Sequence, residues 1–404
     1  MIGDGWDGDP STRPQPDPVH ADRPTRRVAV VTGSRAEFGL LKPVMHAIGR
    51  QAGLELCVIA SGSHLILPAE TFREVKAAFN IADSVPMQIA GRTTRLDDAE
   101  AVGRGVARFA RSFAGLQPHW VVVLGDRIEA FAAASAASIG GFALAHIHGG
   151  DRAEGIADEA MRHAITKLAH VHFAASEQSA ARIRAMGERP EHVFISGSPA
   201  IDGLAEMASV SDEEFAALGA PEAVLLMHPI GRADEAEEHA TASALAAVDG
   251  KRVLALHPNH DPGRIGVVRA IDAWQAASPG TRVVRQHLIR EQFVGLLKRL
   301  ARGKGVIVGN SSSGLIEAAA LGMAVVDVGQ RQAGRERPAH VVHEDHESPE
   351  AIARAVQHAM RAAKELPERV PHPYGAGRAG TFIAETLARL DPNRHALLRK
   401  RIVY

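Results

Sequence analysis

The feature that most restricts the fold of this 404-residue chain is a repeated alternation of two patterns. Short runs of apolar, often β-branched residues, which are typical of buried strands, are each followed by a turn and then by a segment with helical periodicity. Such alternation is produced by parallel strands that are joined through right-handed helical crossovers. The sequence therefore predicts an α/β protein built on parallel sheets.

The alternation runs through two halves of the chain. In the first half we predict strands at 27–32, 54–60, 120–124, 142–147, 171–175 and 193–195, and helices at 36–51, 70–79, 97–115, 127–139, 158–168 and 177–187. In the second half we predict strands at 223–227, 252–256, 281–285, 306–308 and 324–328, and helices at 234–247, 264–277, 290–302, 314–321, 348–364 and 377–400. Two doubly wound, Rossmann-like domains that face each other across a cleft are expected.

We place the first domain at 25–200 and the second at 201–404. The polar segment 200–222 is expected to cross between the two domains. The last helix is expected to pack on either domain, which includes packing back on the first. Residues 1–24 are proline-rich and nearly without apolar residues, so we expect a disordered tail with no secretory signal.

Composition excludes several classes of function. The formal net charge is -1 with both signs dispersed, which argues against nucleic acid or a membrane surface as a partner. Apolar runs are too short to span a membrane. The single cysteine, Cys57, excludes a disulfide framework and a cysteine-based zinc site, and a reducing cytoplasmic compartment is expected.

Two predicted strands in the middle of the chain end in ionisable residues, and an acidic helix start follows. These residues are Asp126, Arg127, His148, Asp151, Asp158 and Glu159. Ligands bind outside the carboxyl ends of strands in open parallel sheets, so we expect these side chains to converge on one cleft. Burial and like charge would raise the carboxylate pKa values towards neutrality, as acid–base catalysis requires. Each carboxylate taken singly would serve equally well as a cap.

Two turns are candidates for binding phosphate. Gly33-Ser34-Arg35 follows the first strand, but it lacks the GxGxxG pattern of dinucleotide-binding folds, so an NAD site is not expected. The segment 309–314, GNSSSG, follows a strand and begins a helix, where serine hydroxyls and free backbone N–H groups bind anions. Ser311, Ser312 and Ser313 are more serines than capping requires, and Glu317 is placed to accept hydrogen bonds from ribose hydroxyls. We therefore predict a nucleoside diphosphate site.

Histidines and arginines of the second half are further candidates. His228 follows one buried strand, and His257 and Asn259 follow the next. His287, with Glu291 and Phe293 nearby, would line a base pocket or equally serve as a helix cap and core. Arg331 and Arg335 lie in a glycine-rich loop that would either close over phosphates or remain solvated. The histidines are scattered and no HExxH pattern occurs, so neither a metal nor another cofactor is expected.

Several segments together resemble the UDP-N-acetylglucosamine 2-epimerase family, and its hydrolysing branch best. They are TGSRAEFGLLKP, LGDRIEA, HIHGGDRAEGIADEAMRHAITKLAHVHF, GSPAID, HPNHD and VGNSSSGLIEAAALGMAVVDVGQRQAGR, and they occur in order between about residues 27 and 385. The resemblance implies a glycosyltransferase-B fold with a UDP-sugar bound between the domains. It further implies anti elimination of UDP across C1–C2, followed by addition of water.

The resemblance also implies site residues. Asp126, Asp151, Asp158 and Glu159 would be the catalytic acids, and the UDP-sugar would be held by Arg35, His228, Ser312, Ser313, Glu317 and Arg331. To the predicted substrate-binding residues we add Arg127, His257, Asn259, His287 and Ser311. Relatives in the non-hydrolysing branch, and some in the hydrolysing branch, have a glutamate where this chain has His148, so His148 or Asp151 would substitute as the C2 base.

The substrate expected from the resemblance is UDP-N-acetylglucosamine or UDP-N,N'-diacetylbacillosamine. The alternatives are a non-hydrolysing epimerase, a glycosyltransferase on the same fold, and a non-catalytic UDP-sugar sensor. An exposed apolar helix face would support a homodimer or homotetramer.

Overall fold

The computed structural model describes residues 25–66, 71–92, 94–152, 159–258, 263–278, 280, 282–367, 370–393 and 395–403. Within these ranges the strands form two parallel sheets, one of seven strands and one of six. The predicted α/β fold with two Rossmann-like domains is thereby confirmed. The predicted tail 1–24, Asp158 and Asn259 lie outside the described residues.

The first sheet and its helices come from the first half of the chain. Its strands are β1 (Arg26–Thr32), β2 (Leu54–Ser61), β3 (Ile81–Val85), β4 (Trp120–Leu124), β5 (Ala143–Ile147), β6 (Val171–Ala174) and β7 (Val193–Ile195). Its helices are α1 (Arg35–Arg50), α2 (Thr71–Ala78), α3 (Arg95–Leu116), α4 (Ile128–Ile139), α5 (Glu159–Leu168) and α6 (Glu177–Ala185). The strand order is β3-β2-β1-β4-β5-β6-β7.

The second sheet repeats this plan. Its strands are β8 (Ala223–Leu226), β9 (Val253–Leu256), β10 (Val283–Arg285), β11 (Val306–Gly309), β12 (Ala324–Val328) and β13 (Val342–Glu344). The helices of this half are α7 (Asp212–Ala217), α8 (Asp234–Ala247), α9 (Arg264–Ala276), α10 (Arg290–Arg302), α11 (Pro349–Ala362), α12 (Ala379–Arg389) and α13 (His395–Leu398). The strand order is β10-β9-β8-β11-β12-β13.

The strands read as continuous apolar runs because both faces of each sheet are covered. On β1, Val28 and Val30 enter the core on one face of the sheet, whereas Ala29 and Val31 enter a second core on the other face. All four are buried. Buried strands of this kind hold the loops at their carboxyl ends in fixed positions.

The end of the chain packs on the first domain. Ile383 and Leu387 of α12 belong to the same buried cluster as Val30. The Asp202 carboxylate accepts hydrogen bonds from the backbone N–H groups of Ala379 (2.9 Å) and Gly380 (2.6 Å), which caps the start of α12. The polypeptide therefore crosses between the domains twice, near residue 202 and again before α12.

The structure differs from the sequence-based prediction in its short and terminal elements. The single helix predicted at 377–400 is wrong: α12 ends where Leu390 turns extended, and Asp391 precedes Pro392, a position that disfavours helix. The segment 200–222 is not a plain crossing, since it contains α7, which begins with a capping box between Ser211 and Glu214. The strands β3 and β13 were not predicted because edge strands are half exposed and lack a continuous apolar run.

Candidate active site

A cavity of about 420 Å³ lies where the two domains face each other. In each sheet there is one point where the strand order reverses, between β1 and β4 and between β8 and β11, and ligands bind at such points in open α/β sheets. The first domain contributes Arg35, Phe38, Lys42 and Glu74 to the cavity wall, and the second contributes His228, His257, His287, Arg290, Phe293, Ser311, Ser312, Ser313, Glu317 and Arg331. Most of the residues predicted to bind UDP thus line one hollow.

The strand exits of the second domain are held rigidly together. The Asn310 side chain accepts a hydrogen bond from the His228 backbone N–H (2.7 Å) and donates one to the His228 carbonyl (2.8 Å). Gly309 has φ 150° and packs so closely on β8 that any side chain would overlap the Leu226 carbonyl oxygen. The Asn310 hydrogen bonds and the close packing of Gly309 fix the serine turn against the end of β8, so that Ser311–Ser313 and His228 face the same cavity.

Glu317 lies one turn beyond the serines, in a π-helical turn (Gly314–Ala318). Such turns insert an extra residue into a helix and are frequent at functional sites. The Arg290 guanidinium donates to Glu317 Oε1 (3.3 Å) and to the Ala200 carbonyl oxygen (2.5 Å). Arg290 therefore fixes the carboxylate at the cavity wall. It was not predicted, although it stands at the first position of α10, directly after a strand and its loop.

Two of the three histidines on the wall have lowered pKa values. Burial, assisted by the positive charge of Arg35, lowers the pKa of His287 to about 4. Burial also lowers the pKa of His257, against the opposing effect of Asp272. Near pH 7 these two imidazoles are neutral and offer hydrogen bonds without adding charge to the cavity.

The first domain presents the start of α1 to the cavity. Ser34 is the N-cap residue, and its buried hydroxyl has no hydrogen-bond partner among the described residues. Burial lowers the pKa of Arg35, although Glu74 opposes this. Arg127, also predicted to bind substrate, is instead the N-cap residue of α4, and its Nε lies 3.6 Å from Glu129 Oε2. Of these arginines, Arg35 is the one that lines the cavity.

Of the carboxylates predicted to be catalytic, Asp126, Asp151 and Glu159 are among the described residues, and none of them lines this cavity. Asp126 and Asp151 follow β4 and β5, Glu159 begins α5, and each has an arginine nearby. Arg162 of α5 contacts the Asp126 carboxylate, donates to Glu159 Oε2 (3.3 Å) and donates to the backbone oxygen of Asp151 (3.0 Å). Burial and then the charges of Arg335 and Arg331 lower the pKa of Arg162. The Asp126–Arg162 pair is therefore within electrostatic reach of the Arg331 that lines the cavity.

His148 and Asp151 form a second group at the exit of β5. His148 has φ 64°, a strained conformation for this residue type, and it is buried. Its Nδ1 bonds to Asp151 Oδ2 (2.9 Å), and its Nε2 bonds to Ser198 Oγ (2.9 Å). Because an ionised Asp151 carboxylate can only accept, we assign the imidazole proton to Nδ1, so that the Ser198 hydroxyl donates to Nε2. The arrangement is that of a Ser–His–Asp hydrogen-bonded chain.

The expectation that the central carboxylates have raised pKa values is wrong for Asp151. Burial alone would raise its pKa, but the effects of His148, Arg335 and Ser179 are larger together, and the pKa lies below its ordinary value. Raised pKa values occur at other carboxyl groups, among them Glu37 and Glu129, two buried residues that sequence reasoning did not select. Burial, and then the neighbouring carboxyl group of Glu129, raise the pKa of Glu37 to about 8.

Glu129 is packed against the exits of β1 and β2. Its side chain occupies the space that a Cβ atom on either Gly33 or Gly62 would need. Burial raises its pKa, although the nearby Arg127 opposes this. The signal that would have found it is the glycine at each of two neighbouring strand exits, since glycine permits the close approach of a side chain from the next crossover.

This combination of two facing Rossmann-like domains, with a cavity at their switch points, defines the glycosyltransferase-B class of fold. Residues 46–388 match the family model described as UDP-N-acetylglucosamine 2-epimerase. The chain belongs to this family, as its sequence motifs indicated. Among the described residues, no helix has the length and apolarity to cross a membrane.

The similar proteins carry two kinds of name. The chain is 33% identical over 329 residues to a UDP-N,N'-diacetylbacillosamine 2-epimerase (hydrolyzing) of Legionella pneumophila, a match that covers 79% of this chain and 85% of the relative. It is 30% identical over 351 residues to a UDP-N-acetylglucosamine 2-epimerase of Neisseria meningitidis, covering 84% and 89%.

Solved structures agree with the fold. A putative UDP-N-acetylglucosamine 2-epimerase from Listeria monocytogenes superposes with a TM-score of 0.75 at 18% identity, covering 92% of this chain and 98% of that one. A UDP-GlcNAc 2-epimerase from Neisseria meningitidis, bound to UDP-GlcNAc, gives a TM-score of 0.74 at 18% identity, covering 90% and 100%.

Proposed function

We propose that the protein is a hydrolysing UDP-sugar 2-epimerase, which converts a UDP-2-acetamido sugar and water into UDP and a free 2-epimerised sugar. The observation that carries this proposal is one cavity that has Arg35 on one wall and the serine turn with Glu317 and Arg331 on the other. The loop that carries Arg331 and Arg335 connects this cavity with Asp151, one of the acid–base groups at the exits of β4 and β5. The cavity would hold the nucleoside diphosphate, and the acid–base groups would act on the C1–C2 bond of the attached sugar.

The UDP part would be bound mainly by the second domain. Ser311, Ser312 and Ser313 offer hydroxyls and N–H groups at the start of a helix, an arrangement that suits a diphosphate. Arg331 and, from the first domain, Arg35 would neutralise the charge that develops on UDP as it departs. Glu317, held by Arg290, would accept from the ribose hydroxyls.

The sugar chemistry would be performed by Asp126, Glu159 and the His148–Asp151 pair. Elimination needs a base for the C2 proton, and hydration of the resulting glycal needs a proton donor and a base. The hydrogen bond from His148 Nδ1 to Asp151 supports the imidazole as a proton carrier, since a buried carboxylate stabilises the charged ring. Asp158, which lies outside the described residues, stays a candidate from sequence resemblance.

Two substrates are supported. UDP-N-acetylglucosamine is the substrate that the family description names. UDP-N,N'-diacetylbacillosamine is favoured by the 33% identity to the hydrolysing enzyme of Legionella pneumophila. The two sugars differ at C4 and C6, so their relative turnover measures the shape of the sugar end of the cavity.

The test is proton NMR of the purified protein with each UDP-sugar in heavy water. We expect UDP to be released together with a free sugar that carries deuterium at C2. A deuterated sugar that stays attached to UDP would replace the proposal by a non-hydrolysing epimerase. Hydrolysis or transfer without deuterium at C2 would indicate a glycosyltransferase, and UDP binding without turnover a sensor.

A further inference from the structure

One loop of the second domain reaches across to the first. It follows β12 and runs from Gly329 to Pro338. Arg331 in this loop lines the cavity. Four residues later, the buried guanidinium of Arg335 lies 3.7 Å from Asp151 Oδ2. A single short loop therefore connects the wall of the proposed UDP site with a carboxylate of the other domain.

The position of Arg335 matters because of what else Asp151 contacts. Its Oδ1 accepts a hydrogen bond from Ser179 Oγ (2.8 Å), and its Oδ2 bonds to His148 Nδ1 (2.9 Å). Arg335 approaches the same oxygen as His148 does. Ser179 and His148 belong to the first domain, so the second domain supplies the cationic neighbour of this carboxylate.

The next residue, Glu336, fixes the loop to the first domain. Its Oε1 accepts hydrogen bonds from Ser176 Oγ (2.9 Å) and from Arg182 (3.1 Å). Its backbone carbonyl accepts from the hydroxyl of Tyr374 (2.7 Å), and the Tyr374 carbonyl in turn accepts the Ser198 N–H (2.7 Å). All of these residues except Arg182 are buried, so the contacts form a packed junction and not a surface ion pair.

We propose that Arg335 is a positioning residue for the His148–Asp151 pair, through which the second domain completes this part of the site. This inference rests on the proposed function, because it gives that reaction a residue that acts through Asp151. Arg335 holds Asp151 ionised and oriented, so that His148 keeps its proton on Nδ1. Since Arg331 and Arg335 share the loop, binding of the diphosphate and completion of the pair occur together.

The experiment compares Arg335→Gln with wild-type protein in three assays: kcat and KM, exchange of the C2 proton in heavy water, and UDP affinity by calorimetry. We expect kcat and the exchange rate to fall together by about 10²-fold, the scale of a misplaced catalytic group. UDP affinity should stay within about threefold, because the phosphate-facing residues are unchanged. Tight UDP binding also proves that the variant is folded.

Further variants separate positioning from general damage. Arg335→Ala should regain activity when guanidinium is added, since the added cation can occupy the vacated place. Glu336→Gln should reduce kcat in the same direction but less, by weakening the junction. Gln330→Ala, an exposed change on the same loop that contacts Asp345, is the matched control and should behave as wild type.

Each outcome decides the proposal. Wild-type turnover in Arg335→Gln overturns it while leaving the proposed function intact. A loss of UDP affinity that equals the loss of kcat/KM, with kcat unchanged, would make Arg335 a UDP ligand and also overturns it. A wild-type protein without 2-epimerase activity overturns the proposed function, and this inference with it.

Discussion

Replacing Glu37 by glutamine should change how the stability of the protein depends on pH. The folded protein raises the pKa of this carboxyl from 4.5 to about 8, first by burial and then by the neighbouring Glu129. Between these two values the folded state keeps a proton that the unfolded state releases. The free energy of unfolding must therefore fall as pH rises through this window, and the contribution is fully lost only above the folded pKa.

The size of the effect follows from the same shift. One retained proton changes the free energy of unfolding by about 1.4 kcal/mol per pH unit. A glutamine side chain does not titrate, and its oxygen can still accept the hydrogen bond that the Gly33 N–H now donates to Glu37 (3.3 Å). The difference in the free energy of unfolding between Glu37→Gln and wild type should thus grow by about 2–3 kcal/mol, in favour of the variant, as the pH rises from about 5.5 to about 7.5.

Urea denaturation at a series of pH values, followed by circular dichroism, measures this difference directly. Subtracting wild type from variant removes the shared titrating groups that do not interact with Glu37, whereas Glu129 is coupled to it and contributes to the difference. Glu55→Gln, an exposed change on β2, controls for the loss of one carboxyl group. A Glu37→Gln difference that is constant with pH would refute the reasoning, because Glu37 would then titrate alike in both states.

Three further changes test other parts of the structure. Asp126→Asn should lower kcat by about 10²-fold in a steady-state assay with intact UDP binding, and near-normal turnover would remove Asp126 from the catalytic groups. Lys400→Met should lower the free energy of unfolding by about 1–3 kcal/mol without changing kcat, because Lys400 forms an ion pair with the buried Glu188 (2.7 Å). Thermal melts measure this loss, and an unchanged melting temperature would show that the ion pair does not stabilise the protein. Gly309→Ala should weaken UDP binding in calorimetry and destabilise the protein by about 1–3 kcal/mol, because a methyl group overlaps the Leu226 carbonyl, whereas wild-type affinity would show that β8 can shift.

The strand exits could be predicted because their signal is local. A buried apolar run that stops at a polar residue marks the carboxyl end of a strand, and parallel topology then gathers these ends at one edge. This logic located His228, His257 and the serine turn, all of which line one cavity. It needed neither the lengths of the helices nor the exact register of the strands.

The partners of the carboxylates could not be predicted in the same way. Arg162 sits on an amphipathic helix, and nothing in that pattern tells which charged residue faces Asp126 and which faces solvent. Arg335 reaches Asp151, and Tyr374 reaches Ser198, from the other domain and across more than 170 positions of sequence. Such pairings depend on how the two domains dock, which no local pattern encodes.

Glu37 and Glu129 illustrate a local pattern that points to the wrong environment. Each lies in the first turn of a helix, where a carboxylate normally faces solvent and interacts favourably with the helix dipole. Here both side chains turn inward under the exits of β1 and β2, because Gly33 and Gly62 leave room for Glu129. The glycines at the two strand exits, and not the acidic residues themselves, indicate that the carboxyl groups are buried.

The charges around the cavity have a common logic. A UDP-sugar would bring a doubly charged diphosphate towards the exits of β4 and β5, where Asp126, Asp151 and Glu159 would repel it if they were unpaired. Arg162 compensates Asp126 and Glu159, and Arg335 compensates Asp151. The price of that compensation is that Asp151 is a carboxylate of lowered pKa, unsuited to donate a proton near pH 7. In the proposed reaction, the imidazole of His148, whose Nδ1 proton Asp151 holds in place, would therefore carry protons at this end of the cleft.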